Sequence, residues 1–369
     1  MKVPFLDLAL SYAELAERLE PDVMRALRSG WYIGGEEVER FESVFANFCD
    51  ASHAVAVANG LEALELILRA YGIGPGDEVI VPSNTFIATW LAVSRTGATI
   101  VPVEPSEITY CIEADNIREA ITERTKAIIP VHLYGQPADI DAIAALAVPL
   151  GIFVLEDAAQ AHGATCRGRR IGNAFHAAAW SFYPAKNLGA FGDAGAVTTN
   201  DPEVANRLRV LRNYGSRVKY VNEVEGINSR MDPVQAAALR IKLEVLDEWN
   251  ARRQSIATRY IQSLHGTSLI LPAVPEWAES VWHLFVVRHQ NRDRIIEFLT
   301  ARGVQTQIHY PIPPHEQKAF AHLGFAPDDF VVAHQLAREV FSLPIGPQMT
   351  TTEVEYVIDC VLEAVTSAS

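Results

Sequence analysis

The sequence predicts an α/β fold with a mostly parallel central sheet and a smaller α+β unit towards its C-terminal part. Three observations predict it. Short apolar runs alternate with segments of helical period up to about residue 235. Those runs, such as VIVP (79–82) and AIIPV (127–131), are apolar at nearly every position. That is expected of parallel strands covered by helices on both faces. Beyond residue 235 the alternation gives way to long helical patterns with few strand-like runs.

In chain order, strands are expected at 53–58, 78–82, 99–103, 125–131, 153–156, 177–181 and 195–199. Helical patterns at 61–71, 88–96, 116–121 and 140–150 fall between several of them, and IGPGDEV (73–79) supplies a tight turn before a strand. A long helix is expected from 233 to 248, continuing through 250–264 and crossing between two domains. A strand at 281–288, a helix at 292–303, a strand near 304–309 and helices near 332–341 and 352–365 follow. The expected division is a large domain over 1–245 and a small one over 246–369.

The net charge of −14 argues against nucleic acid and anionic membrane as partners, since both require basic patches. The longest stretch without Asp, Glu, Lys or Arg, 79–94, is broken by Pro82, Ser83 and Asn84 and reads as strand, turn and helix rather than a membrane span. Asp7 interrupts the only N-terminal apolar stretch, so no signal peptide is read there. Cys49, Cys111, Cys166 and Cys360 have no metal-like spacing and read as buried thiols of a reduced compartment. A cytoplasmic location and no metal are expected.

Three strand ends carry chemistry, and ligands of open α/β sheets bind beyond such ends. In VAVANGLEALELIL (55–68), Asn59-Gly60 turns a strand into a helix whose first amides could cradle a phosphate, or simply make the turn. GIFVLEDAAQAHG (151–163) ends an apolar strand in Glu156-Asp157, where a carboxylate must cap a helix or meet a ligand. SFYPAKNLGAFGDAG (181–195) places Lys186, one of only six lysines, between an aromatic run and a glycine-rich turn. A lysine amine forms a Schiff base with an aldehyde cofactor, and pyridoxal phosphate needs that lysine, a phosphate cradle and a carboxylate at its pyridine nitrogen. Each part occurs once in this order, and Phe86 in PSNTFIAT (82–89) supplies a ring to stack on the pyridine.

These residues carry a resemblance. SGWYIGG (29–35), GDEVIVPSNTFIAT (76–89), VHLYGQPADID (131–141), EDAAQAHGA (156–164), SFYPAKNLGAFGDAGAV (181–197), INSRMDPVQAAAL (227–239) and HYPIPPH (309–315) resemble the DegT family of nucleotide-sugar aminotransferases along essentially the whole chain. The resemblance implies the aspartate aminotransferase fold, fold type I. It implies that Lys186 binds the cofactor and moves protons, Asp157 faces the pyridine nitrogen, Gln160 meets the phenolic oxygen and Phe86 stacks on the ring. Gly60, Leu61 and Ser181 would hold the phosphate together with Asn228 of a neighbouring subunit, so a homodimer with shared sites is implied. Tyr183, Lys219, Tyr220, His309 and Tyr310 are the candidates for substrate contacts.

The same resemblance points to amination at C3 of a dTDP-linked 3-keto-6-deoxyhexose, with glutamate leaving as 2-oxoglutarate. The alternative is amination at C4 of a UDP- or dTDP-4-keto-6-deoxyhexose. A non-enzymatic cofactor-binding regulator on the same fold would need a basic run that these 369 residues lack. One departure is local: Ala185 stands where many relatives are expected to have glycine, and it fits unless the backbone there has a positive φ.

Overall fold

The structure, a computed structural model, describes residues 1–368. Seven strands form the central sheet: β1 (His53–Val57), β2 (Glu78–Pro82), β3 (Thr99–Val103), β4 (Thr125–Ile128), β5 (Phe153–Asp157), β6 (Ala177–Ser181) and β7 (Gly195–Thr199). Their order is β1-β7-β6-β5-β4-β2-β3. Only β7 runs antiparallel to its neighbours, so the mostly parallel sheet expected from the apolar runs is what the chain forms. β4 stops short of the expected residue 131. Pro130 has no N–H to continue a ladder, and Val131 returns only as an isolated bridge to Asp157.

Alternate strand residues bury on opposite faces. Val55, Val57, Val79 and Val81 pack with Leu64, Ile67, Trp90 and Leu208 on one side. Ala54, Ala56, Ile80 and Val154 pack with Phe41, Phe45, Ile143 and Leu239 on the other. Each such aliphatic side chain contributes about 1.5–3 kcal/mol by leaving water, which is why the strands tolerate almost no polar residue. Three helices in this body escape the sequence reading: Leu8–Arg28, Glu36–Phe48 and Pro202–Leu211. The first contains Pro21, a residue that argues against a helix interior, yet Asp7 caps its start by accepting the Ala9 N–H at 2.9 Å.

The long helix expected from 233 onward is broken. Val245 leaves helical geometry (φ −113°, ψ 2°), which splits it into Pro233–Leu243 and Leu246–Leu264. The second helix belongs to two cores. Leu246 packs in the sheet core, while Ile256, Ala257, Tyr260 and Leu264 pack with Phe285, Leu299, Phe341 and Val357.

In that second core β8 (Phe285–Arg288) pairs antiparallel with β9 (Val340–Leu343). The strand expected near 304–309 makes only isolated bridges, Val304 to Val3 and Gln307 to Ser342. The helix expected to reach 341 ends at Glu339, and its last expected residues open β9. Residues 340–343 pair with β8 instead of continuing the helix. Among the described residues no helix is long and apolar enough to cross a membrane.

Candidate active site

β1, β2, β5 and β6 run in one direction, so their carboxyl ends share one edge of the sheet. At the end of β1, Asn59 caps the helix Gly60–Ala70 by accepting the Glu62 N–H on its Oδ1 at 2.9 Å. The Gly60 and Leu61 N–H groups meet no acceptor among the described residues. A Cβ at Gly60 would lie 2.7 Å from Ser181 Cβ, so only glycine lets the helix start press against the end of β6. Two free amides at a helix N-terminus beside a serine hydroxyl make an anion cradle.

Asp157 ends β5 and is buried. Its Oδ1 accepts the Ala159 N–H at 3.2 Å, and its Oδ2 accepts the Thr89 hydroxyl at 2.9 Å. Thr89 in turn lies 2.9 Å from the Thr85 hydroxyl. Burial pushes the Asp157 carboxyl up, while the Ala159 amide, the Thr89 hydroxyl and the charge of Lys186 pull it back. The converse holds at Lys186, which burial brings down to about 8 while Asp157 holds it up. A lysine brought down to about 8 stands within electrostatic reach of a carboxylate at a strand end.

The lysine loop is built by close approach. A Cβ at Gly189 would lie 2.2 Å from Pro184 O, and one at Gly195 would lie 2.5 Å from Asn59 O. Neither glycine has a positive φ, so what they supply is the absence of a side chain and not an unusual turn. Ala185 has no positive φ either, and alanine is unstrained there.

Above this floor Gln160 joins two elements. Its Oε1 accepts the Tyr134 N–H at 2.7 Å, and its Nε2 donates to the Tyr310 hydroxyl oxygen at 3.1 Å. The Tyr310 and Phe86 ring centroids lie 5.4 Å apart, with Phe86 half exposed. The Tyr134 hydroxyl donates to the His309 carbonyl oxygen, and His309 Nδ1 lies 2.8 Å from Ser342 Oγ. His309 is brought down to about 4 by burial and by the Lys186 charge, and His162 to about 3 by the same two causes. Lys186 therefore has neutral imidazoles around it. Tyr183 is exposed two residues beyond Ser181 Oγ, which accepts its N–H at 3.4 Å.

The remaining candidates stand apart. Asn228 is exposed and bridges Asn213, while the Lys219 ammonium sits 5.0 Å from the ring of Tyr220, itself 87% exposed. Among the described residues no contact joins these three to Lys186 or Asp157. Sequence reasoning missed Thr89, Tyr134 and His162. Thr85 and Thr89, spaced four apart in PSNTFIAT, were the one available signal for a hydroxyl pair, with Thr85 in the turn that precedes the 88–96 helix.

Two unmet amides beside a serine, a missing Cβ, a buried carboxylate and a lysine brought down to about 8 fit pyridoxal phosphate part by part. Fold and site define a pyridoxal-phosphate-dependent sugar aminotransferase of fold type I. The model of the DegT/DnrJ/EryC1/StrS aminotransferase family matches residues 13–362, and the chain belongs to that family.

The chain is 53% identical to dTDP-3-amino-3,4,6-trideoxy-alpha-D-glucose transaminase of Streptomyces venezuelae, over 98% of this chain and 96% of the relative. It is 51% identical to dTDP-3-amino-3,6-dideoxy-alpha-D-galactopyranose transaminase of Aneurinibacillus thermoaerophilus, over 97% of this chain and 98% of the relative. The crystal structure of S. venezuelae DesV in complex with a ketimine intermediate superposes with a TM-score of 0.97 at 53% identity, over 98% of both chains.

Proposed function

We propose that the chain transfers the amino group of glutamate to C3 of a dTDP-linked 3-keto-6-deoxyhexose, giving a dTDP-3-amino-3,6-dideoxyhexose and 2-oxoglutarate. The observation that carries the chemistry is Lys186, brought down to about 8 by burial and within electrostatic reach of Asp157 at the sheet edge. The substrate class rests on the two relatives, both named for a 3-amino sugar on dTDP.

Gly60, Leu61 and Ser181 hold the cofactor phosphate, Asp157 faces the pyridine nitrogen, Gln160 the phenolic oxygen, and Phe86 covers the ring. Bound there, pyridoxal phosphate supplies the electron sink for carbanion chemistry. Lys186 Nζ takes the α-proton from the donor and later returns a proton to the sugar carbon. One base serves both transfers because each leaves it in the state the other requires. Tyr183, His309 and Tyr310 line the approach of the sugar. Asn228, Lys219 and Tyr220 serve the site of a second copy in a homodimer. The exposed apolar residues Trp31, Tyr32, Ile33, Tyr214 and Val218 support such a covered surface.

The test is direct. Purified protein should be yellow and should bleach with glutamate. Each of the 3-keto and 4-keto isomers, on dTDP and on UDP, is then offered to the aminated enzyme. Turnover confined to the 4-keto sugars would replace the C3 reading by the C4 one.

A further inference from the structure

A cavity of about 220 Å³ lies between the start of the Leu8–Arg28 helix, the lysine loop and the Leu246–Leu264 helix. Lys186, Lys242 and Arg253 line it, with Ser11, Phe191 and Trp249, and no Asp or Glu does. Two of these cations are buried without a counter-charge. Lys242 is 6% exposed; its ammonium donates to Gly189 O at 2.7 Å and lies 4.2 Å from the Phe191 ring. No other acceptor among the described residues meets its two further protons.

Arg253 is 3% exposed, and its Nη1 donates to the carbonyls of Trp282, His283 and Ile345. Its Nε and Nη2 have no acceptor among the described residues. Elsewhere the chain pairs its buried cations: Arg288 meets Glu339 at 2.9 Å and Glu107 at 3.5 Å.

Burying an unpaired cation costs several kcal/mol, so two beside one cavity call for a negative charge inside it. Burial alone brings Lys242 down to about 8 and Arg253 down to about 10, with no carboxylate acting in the other direction. Lys186 identifies the anion, because it opens on the same cavity. Of the two substrates that must reach Lys186, glutamate carries carboxylates, while the reacting end of the keto sugar carries none.

We infer that this cavity receives a carboxylate of the dicarboxylate amino donor, held by Lys242 and Arg253. The inference rests on the transamination proposed above and assigns the donor a subsite of its own.

Glutarate, which has both carboxylates and no amine to react, is the binding probe. Its affinity for the holoenzyme is measured by calorimetry with wild type, Lys242→Met and Lys242→Arg. The glutamate and sugar half-reactions are followed separately by the cofactor absorbance. Lys242→Met should weaken glutarate and raise half-saturating glutamate by about tenfold, with the sugar half-reaction within about twofold and Lys242→Arg restoring both. Unchanged glutarate affinity in Lys242→Met overturns the inference, as does an equal loss in both half-reactions. Chloride or phosphate binding as tightly as glutarate also overturns it. If glutamate fails to bleach even the wild type, the donor reading fails, and the glutarate isotherms decide the cavity alone.

Discussion

Thr89 Oγ1 donates to Asp157 Oδ2 at 2.9 Å, across 68 residues of sequence. After the Ala159 amide, that bond is the main contact opposing the burial that pushes the carboxyl towards protonation. Asp157→Asn should lower turnover about a hundredfold or more, because a neutral amide cannot stabilise a protonated pyridine. Thr89→Val keeps the shape and removes the donor, and should cost about tenfold. Steady-state kinetics of the two variants check this; wild-type rates in Asp157→Asn would remove Asp157 from the site.

The second prediction concerns pH. The rate at which apoprotein captures pyridoxal phosphate should rise through about pH 8, as Lys186 loses its proton. His309 and His162, at about 4 and 3, stay neutral and add no step in that range. Asp157 holds the lysine up, so in Asp157→Asn the rise should move to lower pH. Stopped-flow absorbance against pH reads this directly, and a shift to higher pH would contradict it.

Gly60→Ala should damage cofactor binding. The new methyl lies 2.7 Å from Ser181 Cβ, and relief must separate the helix start from β6. A loss of about 1–3 kcal/mol in cofactor affinity is expected, measured by equilibrium titration. Melting of the apoprotein shows whether stability falls in step.

His132 and Glu156 form a buried pair at 3.0 Å, one residue from Asp157. His132 Nδ1 accepts the Ala138 N–H, so the proton lies on Nε2 and is donated to Glu156. His132→Ala strands the carboxylate and should cost about 3–5 kcal/mol in a denaturant titration. Removing both partners with Glu156→Gln in the same chain should cost less than the sum of the single changes.

Shared sites have their own test. Lys186→Ala and Asn228→Asp should each be nearly inactive alone. If Asn228 serves the partner's site, a refolded equal mixture should regain roughly a quarter of wild-type activity, since half the dimers are mixed and each holds one intact site. No recovery would return Asn228 to its own chain.

Lys186, Asp157 and Gly60 were legible because their chemistry is costly anywhere else: a scarce lysine in an apolar turn, a carboxylate at a buried strand end, a glycine opening a helix. Thr89 and Tyr134 were not. A threonine in a helix has no signature of its own, and its partner is set only when β5 and the 88–96 helix meet. The break at Val245 was equally hidden, since helical period continues on both sides of it. β9 was lost to a helical pattern that stops at Glu339, where pairing with β8 takes over. Ala185 looked like a defect on paper, and its backbone geometry removes the problem.

Val3 is 1% exposed, bridges Val304, donates its N–H to Gly303 and accepts the Gln305 N–H. During synthesis on the ribosome it waits for about 300 further residues to be made, roughly 15–60 s at ordinary elongation speeds. Until then the α/β body that follows it can assemble while this short edge stays unpaired. The last core to close is therefore the one that recruits the earliest residues.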